Sequence, residues 1–350
     1  MNEKNKKDIR DLSFDDIQKA IEEIGEKSFR AQQIYDWLWL KQCRSIDEMS
    51  NLSKDLRLFL KTNFDFKSLS VDHIQVSSDG TQKFRFKTFD HHFIEGVLIP
   101  TTDRLTACIS SQIGCSLTCK FCATGKLDKE RNLSFAEIFD QVAIINQKTM
   151  ELHQKKLTNI VYMGMGEPLL NYKNVMKSVE YITSPKALAM SPSRITVSTS
   201  GIIKQIKQLA DDSAKFNLAV SLHASDNVTR SKIMPINDSN KIEDLIEALD
   251  YYFKKTKMPI TYEYILFDGI NDSDESANNL VKLCRRIPSK VNLIEYNIVA
   301  GTGFEKPTDK RLGEFVQILE QNKINVRVRR SRGKDIDAAC GQLANKGSIN

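Results

Sequence analysis

From about residue 104 the chain repeats one pattern: a short apolar run rich in β-branched residues, a loop, then an amphipathic stretch. The apolar runs are RLTACIS, NIVYMGM, RITVSTS, FNLAVSLH, ITYEYILF, VNLIEYNIV and NVRVRR. Amphipathic stretches near 134–148, 172–184, 202–211, 241–255, 274–286 and 309–321 lie between them. Strands separated by helices cannot be joined by tight hairpins, so they lie parallel, with the crossing helices packed outside the sheet. The fold class is therefore α/β. Six strand–helix units in about 225 residues fall short of the eight that close a barrel, which predicts a partial (βα)6 barrel over residues 104–335.

The preceding residues have a different period. Ser13 with Asp16 forms a capping pair ahead of an apolar stripe, Phe14, Ile17, Ile21 and Ile24, and Gly25 can end that helix. Ser28 opens a second helix containing Phe29, Ile34, Trp37 and Leu38, and Ser45 with Glu48 opens a third region ending near Phe64. Residues 1–65 thus read as a small helical accessory domain whose aromatic side chains fill its core, and which is a candidate for RNA contact. Residues 66–103 switch to alternation, with Phe84 and Phe86 between charged neighbours and Asp79-Gly80 as a hairpin signal; they predict an antiparallel β connector. Residues 336–350 form a C-terminal segment.

With 41% hydrophobic and 27% charged residues the chain can bury a large core, which excludes general disorder. No apolar run nears the ~20 residues of a membrane helix, and MNEKNKKDIRDL has no apolar signal region, so a cytoplasmic protein is expected, by default a monomer. The net charge of +6 is unevenly spread: residues 1–70 carry 13 basic and 13 acidic side chains, residues 71–281 carry 24 and 25, and the last 69 carry 14 and 7. The excess lies at the C-terminal end, where a polyanionic partner is expected.

Seven cysteines, odd in number and unevenly placed, exclude a disulfide framework and point to metal or redox chemistry. Cys115, Cys119 and Cys122 stand as CxxxCxxC in IGCSLTCKFCATG, directly after the first strand of the repeat. Gly114 and Gly125 let such a loop wrap around a metal centre. Structural zinc wants four ligands, and Cys108 could supply the fourth, although its strand position holds it away from the loop. Three thiolates on a 4Fe–4S cluster instead leave one iron open to a substrate.

The spacing, with an aromatic residue before the last cysteine at the start of a βα-repeat domain, resembles the radical S-adenosylmethionine enzymes. CISSQIGC, YMGMGEPLLN, STSG, SLHA, NLIEYN and RGKDIDAACGQL, in that order, resemble the ribosomal RNA large-subunit methyltransferases that act on carbon 2 of an adenine. The resemblance spans nearly the whole chain and implies a 4Fe–4S cluster on Cys115, Cys119 and Cys122. It further implies S-adenosylmethionine, two per turnover, held by Gly166, Glu167, Ser198, Ser221, Leu222, His223 and Asn297. Several of these already share a place, because Ser198, Ser221 to His223 and Asn297 fall at successive strand ends, on one rim of a βα barrel.

Cys340, by itself a small buried hydrophobe, becomes through the resemblance a nucleophile that takes a methyl group to give S-methylcysteine. Cys108 becomes its resolving partner, closing a disulfide with Cys340, and Glu95 the proton acceptor. Cys43 and Cys284 remain packing residues. A radical route has a physical basis, since carbon 2 of adenine is electron-poor and not nucleophilic, so direct displacement on a sulfonium methyl group fails there. The implied substrates are 23S rRNA at the peptidyl transferase centre and tRNA beside the anticodon, with an external one-electron reductant. Arg327, Arg329, Arg330, Arg332 and Lys334, in RVRRSRGK, are candidate RNA phosphate contacts, against the ordinary reading of a solvated face. Two rivals stand beside this reading: a relative that methylates carbon 8 of the same adenine and confers antibiotic resistance, and a non-catalytic iron–sulfur or zinc RNA-binding protein.

Overall fold

The computed structural model describes residues 6–345. Three helices come first: α1 (Phe14–Glu22), α2 (Phe29–Tyr35) and α3 (Lys54–Asn63). Ser13 and Asp16 close the anticipated capping box on α1, and Ser53 caps α3. Ile17 and Ile21 are buried, but Ile24 is 43% exposed, because α1 ends at Glu22 and the chain turns at Gly25 with φ +79°. Phe29, expected in the core, is half exposed and lies under the Arg30 guanidinium.

Ten strands form one sheet. Strands β1 (Ser70–Val76), β2 (Gln82–Lys87), β3 (Phe93–Pro100) and β4 (Leu105–Cys108) pair antiparallel in sequence order. A separate two-stranded ribbon, β5 (Gln112–Ile113) with β6 (Arg131–Asn132), follows β4. The sheet then continues from β4 through β7 (Asn159–Tyr162), β8 (Ile195–Thr199), β9 (Asn217–Ser221), β10 (Ile260–Leu266), β11 (Ser289–Glu295) and β12 (Asn325–Arg329), all parallel. Between these strands run α4 (Phe135–His153), α5 (Tyr172–Thr183), α6 (Ile203–Asp211), α7 (Asn227–Ile233), α8 (Ile242–Thr256), α9 (Asp274–Cys284) and α10 (Asp309–Gln321). This is the expected open barrel. The short α7, which periodicity did not single out, sits between β9 and α8. Among the described residues no helix is long and apolar enough to cross a membrane.

Alternation along each strand sorts the side chains onto two faces. Tyr262 and Tyr264 are fully buried, and Tyr264 packs on Phe315 of α10 with ring centroids 5.7 Å apart. The other face, inside the barrel, carries polar groups: the register aligns Ser221, Glu263, Asn292 and Arg327 across four strands. At the far side of the sheet it aligns Lys83 with Val97 and Val97 with Cys108.

The helical module docks on the outer layer. Trp39, 1% exposed, packs against Tyr181 (4.1 Å between centroids), Phe139 (5.3 Å) and Phe135 (5.6 Å). Arg10 bridges Asp8 (3.1 Å) and Asp140 of α4 (2.8 Å). Beyond β12, an arm crosses to the β1–β2 hairpin. Arg332 Nη2 donates to the carbonyls of Asp79 (2.7 Å) and Pro100 (3.1 Å), Gly333 N–H donates to the Asp79 carboxylate (3.0 Å), and Ser78 N–H to Asp335 (3.0 Å). The arm thus links the last strand of the sheet to its first hairpin.

Candidate active site

The three-cysteine loop leaves β4 and returns through β6. Gly114 has φ +72°, and a Cβ there would lie 1.9 Å from the Asp128 carbonyl oxygen, so only glycine lets the two arms of the loop touch. Cys122 N–H bonds the Cys119 carbonyl (3.1 Å), Gly125 N–H the Cys122 carbonyl (3.1 Å), and Lys120 N–H reaches the Ile233 carbonyl at the end of α7 (3.0 Å). Cys115, Cys119 and Cys122 are free, half-buried thiols. Burial raises all three, Cys115 to about 11, and each of Cys115 and Cys119 is raised further by neighbours in the triplet. Backbone N–H groups of Gly125 and Thr124 oppose the rise at Cys122, as does that of Leu117 at Cys115. Among the described residues no three His, Cys, Asp or Glu side chains close on a single ion. A 4Fe–4S cluster offers a different iron to each sulfur, and N–H groups aimed at sulfur are what such clusters use, so the donor set fits a cluster held by three thiolates.

Around this loop stand the strand ends. Gly166 has φ +93°, and a Cβ there would fall 2.4 Å from the Gln112 side chain, whose Oε1 accepts the Glu167 N–H (2.8 Å). The buried Glu167 carboxylate accepts from Leu169 N–H (3.0 Å) and Ser200 N–H (2.7 Å). Burial pushes its pKa up from the ordinary carboxylate value, with those N–H groups opposing. Ser198 and Ser221 are half-buried on the inner face.

His223, with φ +54°, accepts Ile265 N–H at Nδ1 (3.1 Å), and Phe121 of the loop meets its ring edge-on at 5.0 Å. Burial, with Arg230 nearby, pushes the imidazole down to about 3, so it is neutral at ordinary pH and carries its proton on Nε2. Leu222 is fully buried; its N–H goes to the Glu263 carbonyl and its own carbonyl to Arg230, so its backbone groups are already partnered. Asn297 donates from Nδ2 to the Cys340 carbonyl (3.1 Å), while its buried Oδ1 has no partner among the described residues. A buried amide oxygen left so marks a place for a ligand donor.

Cys340 is exposed, and the segment around it is held at several points. Ala123 N–H, next to Cys122, bonds the Gly341 carbonyl (2.7 Å), and Thr124 Oγ1 bonds the Leu343 carbonyl (2.6 Å). Ala344 and Asn345 N–H groups bond Glu95 Oε2 at 2.9 and 3.2 Å. Glu95, 2% exposed, also pairs with Lys83 (3.5 Å). It is therefore no solvated strand carboxylate but a buried one at the arm's landing point. Cys108 is buried and pushed up to about 12 by burial and by Cys340, with Arg329 opposing; Cys340 likewise bears on Cys122. Of the other cysteines, only Cys340 is among the charges that bear on the Cys108 thiol. All seven cysteines are free, so the Cys108–Cys340 disulfide implied by resemblance is not formed in this structure.

The basic run is mostly paired within the protein. Arg332 clamps the β1–β2 hairpin, Lys334 pairs with Glu295 (2.7 Å), Arg330 with Asp309 (3.6 Å) and Arg329 with Glu263 (3.0 Å). Of the five, Arg327 alone is exposed and without a hydrogen-bond or ion-pair partner among the described residues. Two residues escaped the sequence reading. Arg230, buried without a carboxylate, gathers the carbonyls of Ser200, Ser221, Leu222 and Asn240, and no sequence signal marked it. Glu263 had a signal, a carboxylate inside the apolar strand ITYEYILF.

Comparisons with known proteins agree with this geometry. Residues 7–65 match the ribosomal RNA large subunit methyltransferase N-terminal domain, and residues 109–281 match the radical SAM superfamily. The chain is 54% identical over 341 residues, 97% of each chain, to a protein of Christiangramia forsetii named "Probable dual-specificity RNA methyltransferase RlmN". It is 43% identical over 335 residues, 96% of this chain and 97% of the relative, to the "Dual-specificity RNA methyltransferase RlmN" of Syntrophobacter fumaroxidans. The crystal structure of a radical SAM methyltransferase from Sphaerobacter thermophilus superposes with a TM-score of 0.91 at 39% identity, covering 96% of this chain and 99% of that one. That superfamily works with a 4Fe–4S cluster and S-adenosylmethionine, which leaves the non-catalytic metal–RNA reading without support. The chain belongs to the dual-specificity RNA methyltransferase RlmN family of radical S-adenosylmethionine enzymes.

Proposed function

We propose that this enzyme methylates carbon 2 of an adenine in 23S rRNA and in tRNA, with Cys340 as methyl carrier and Cys108 as the thiol that resolves a covalent RNA–protein intermediate. Two molecules of S-adenosylmethionine are consumed per turnover, and an external reductant supplies the electron. The observation that carries this reading is the setting of Cys340, an exposed thiol whose segment is bonded to the three-cysteine loop through Ala123 and Thr124 and to Glu95 on β3, the strand beside Cys108. A methyl carrier must meet both centres, and no packing role requires that.

Cys115, Cys119 and Cys122 would hold the 4Fe–4S cluster, which with S-adenosylmethionine supplies one-electron chemistry and a 5′-deoxyadenosyl radical. The chain's own groups do the rest. Glu167, oriented by two N–H groups, receives the ammonium of S-adenosylmethionine; the unpartnered Asn297 Oδ1 accepts a second donor, and neutral His223 offers Nε2–H. Gly166, Ser198, Ser221 and Leu222 line the same rim. Cys340 accepts a methyl group and then bears, through sulfur, the carbon that joins adenine. Glu95 takes up a proton, and Lys83 beside it offsets its charge. The exposed Arg327 contacts RNA phosphate while the base is extruded into the barrel.

The test is Cys108→Ala with RNA, S-adenosylmethionine and a reductant under anaerobic conditions. A covalent RNA–protein species is expected on a denaturing gel, and full turnover would sink the relay. Hydrolysis of wild-type product should give 2-methyladenosine; 8-methyladenosine would transfer the assignment to the carbon-8 chemistry. Substituting any cysteine of the triplet should remove the cluster absorbance after reconstitution.

A further inference from the structure

Arg230, on α7, is fully buried, and among the described residues no carboxylate pairs with it. Its hydrogen bonds all run to neutral oxygens. Nε donates to the Leu222 carbonyl (3.1 Å), Nη1 to Asn237 Oδ1 (3.0 Å) and the Asn240 carbonyl (3.3 Å), and Nη2 to the carbonyls of Ser200 (2.7 Å) and Ser221 (3.3 Å). Burying a charge without a counter-charge is costly, and a packed apolar side chain would fill the same space without that penalty. What an apolar residue lacks is the rigid fork of a guanidinium, which holds several carbonyls at set spacings.

Those carbonyls lie where the pairing of two strands stops. The register of β8 with β9 ends at Thr199 opposite Val220, and Ser200 and Ser221 come next. Because Nη2 bonds both of their carbonyls, the side chain adds one rung beyond the last pair. Ser200 is held from its other side as well, since its N–H donates to Glu167 (2.7 Å). Gly201, with φ +101°, leaves the room: a Cβ there would lie 3.4 Å from Arg230 Nη2 and 3.2 Å from the Leu245 side chain. One helical turn on from Arg230, the Ile233 carbonyl accepts Lys120 N–H of the cysteine loop (3.0 Å). Phe121 of that loop shares an apolar cluster with Ile233 and Met234, and Cys119 and Cys122 pack against it. α7 therefore fastens the loop through Ile233 and the strand ends through Arg230.

We infer that Arg230 is a positioning residue for S-adenosylmethionine, which through α7 sets the spacing between the three-cysteine loop and the ends of β8 and β9. This rests on the rim reading proposed above, in which one cofactor meets both the loop and the strand ends. Arg230 does not bind the cofactor itself, because its N–H groups are all bonded within the protein. It keeps Ser221, Leu222 and, by way of Ser200, Glu167 in one frame with the loop. Without the fork the two strand ends part beyond Thr199 and Val220, and a ligand bound across them loses affinity while the loop keeps its three thiols.

The experiment measures S-adenosylmethionine affinity on the full chain after anaerobic cluster reconstitution. The readout is the change that the ligand makes in the electron paramagnetic resonance of the reduced cluster. In Arg230→Gln the dissociation constant should rise about tenfold or more, as expected when several bonds from a charged donor are lost, with cluster absorbance per chain unchanged. Arg230→Lys returns the charge but not the fork, so it should recover only part of that loss. If Arg230→Gln does not fold, Asn237→Ala, which frees Nη1 on one side and leaves the other donors in place, should raise the constant about threefold. Wild-type affinity in the variant that folds overturns the inference, as does a lost cluster with wild-type affinity in the chains that keep one. Full recovery by lysine overturns it too, since charge alone would then suffice. Glu167→Gln should also weaken binding; wild-type affinity there would instead overturn the rim reading, so the two failures are distinguishable.

Discussion

Replacing Trp39 tests how the helical module grips the barrel. The side chain is 1% exposed and touches three aromatic rings of α4 and α5. Truncating such a residue to alanine costs about 3–5 kcal/mol. At about 1.4 kcal/mol per factor of ten, local opening of the module should rise by roughly two to three and a half powers of ten. A second variant separates packing from polarity. The indole Nε1–H is buried with no acceptor among the described residues, a defect worth about 1–3 kcal/mol. Trp39→Phe removes that defect along with part of the ring, so the two changes offset and opening should shift by less than about tenfold. Amide hydrogen exchange on the cluster-loaded enzyme reads this directly, through peptides covering α1 to α3 compared with peptides covering α8 to α10. An alanine variant whose exchange rises less than tenfold in α1 to α3, or equally in both regions, would refute the reasoning.

Two further predictions concern the site. His223 is depressed from 6.5 to about 3, so the unfolded chain binds a proton that the folded chain refuses. Its contribution is complete above pH 6.5 and is lost as pH falls, at about 1.4 kcal/mol per unit down to about 3. Between about pH 7.5 and about pH 5.5 the wild type should lose about 1.4 kcal/mol more than His223→Asn in urea unfolding; parallel losses would reject a buried neutral imidazole. Arg332→Ala removes two carbonyl bonds and the pairing with Asp79 at a half-exposed position, so about 1–2 kcal/mol of arm docking should go. Limited proteolysis within 330–345 should then speed up about tenfold while the barrel stays resistant, and unchanged cleavage would count against the clamp.

The legible parts of the molecule were local ones. Strand–helix alternation is written in neighbouring residues, and CxxxCxxC with its flanking glycines brings three thiols into one loop without help from elsewhere. Arg332 meets Asp79, and Ala344 meets Glu95, only through contacts more than two hundred residues apart, which no periodicity records. The pairing of the basic run was hidden for the same reason: its carboxylate partners Glu263, Glu295 and Asp309 lie on other elements. The antiparallel strands likewise read as a connector, whereas pairing of β3 with β4 makes them part of the barrel's own sheet. Glu263 was readable, since a carboxylate between two tyrosines of a buried strand demands a partner.

The arm beyond β12 also sets an order on folding. Its anchors are Asp79, Ala123, Asn297 and Glu95, so it cannot dock before both edges of the sheet exist. Contacts of such sequence separation form late in folding. Until then Cys340 stays apart from the three-cysteine loop and from Glu95. The exposed Cys340 thiol therefore reaches its seat only in a finished barrel. A chain cut after Leu343 would carry every cysteine and still lack the arm's hold on Glu95.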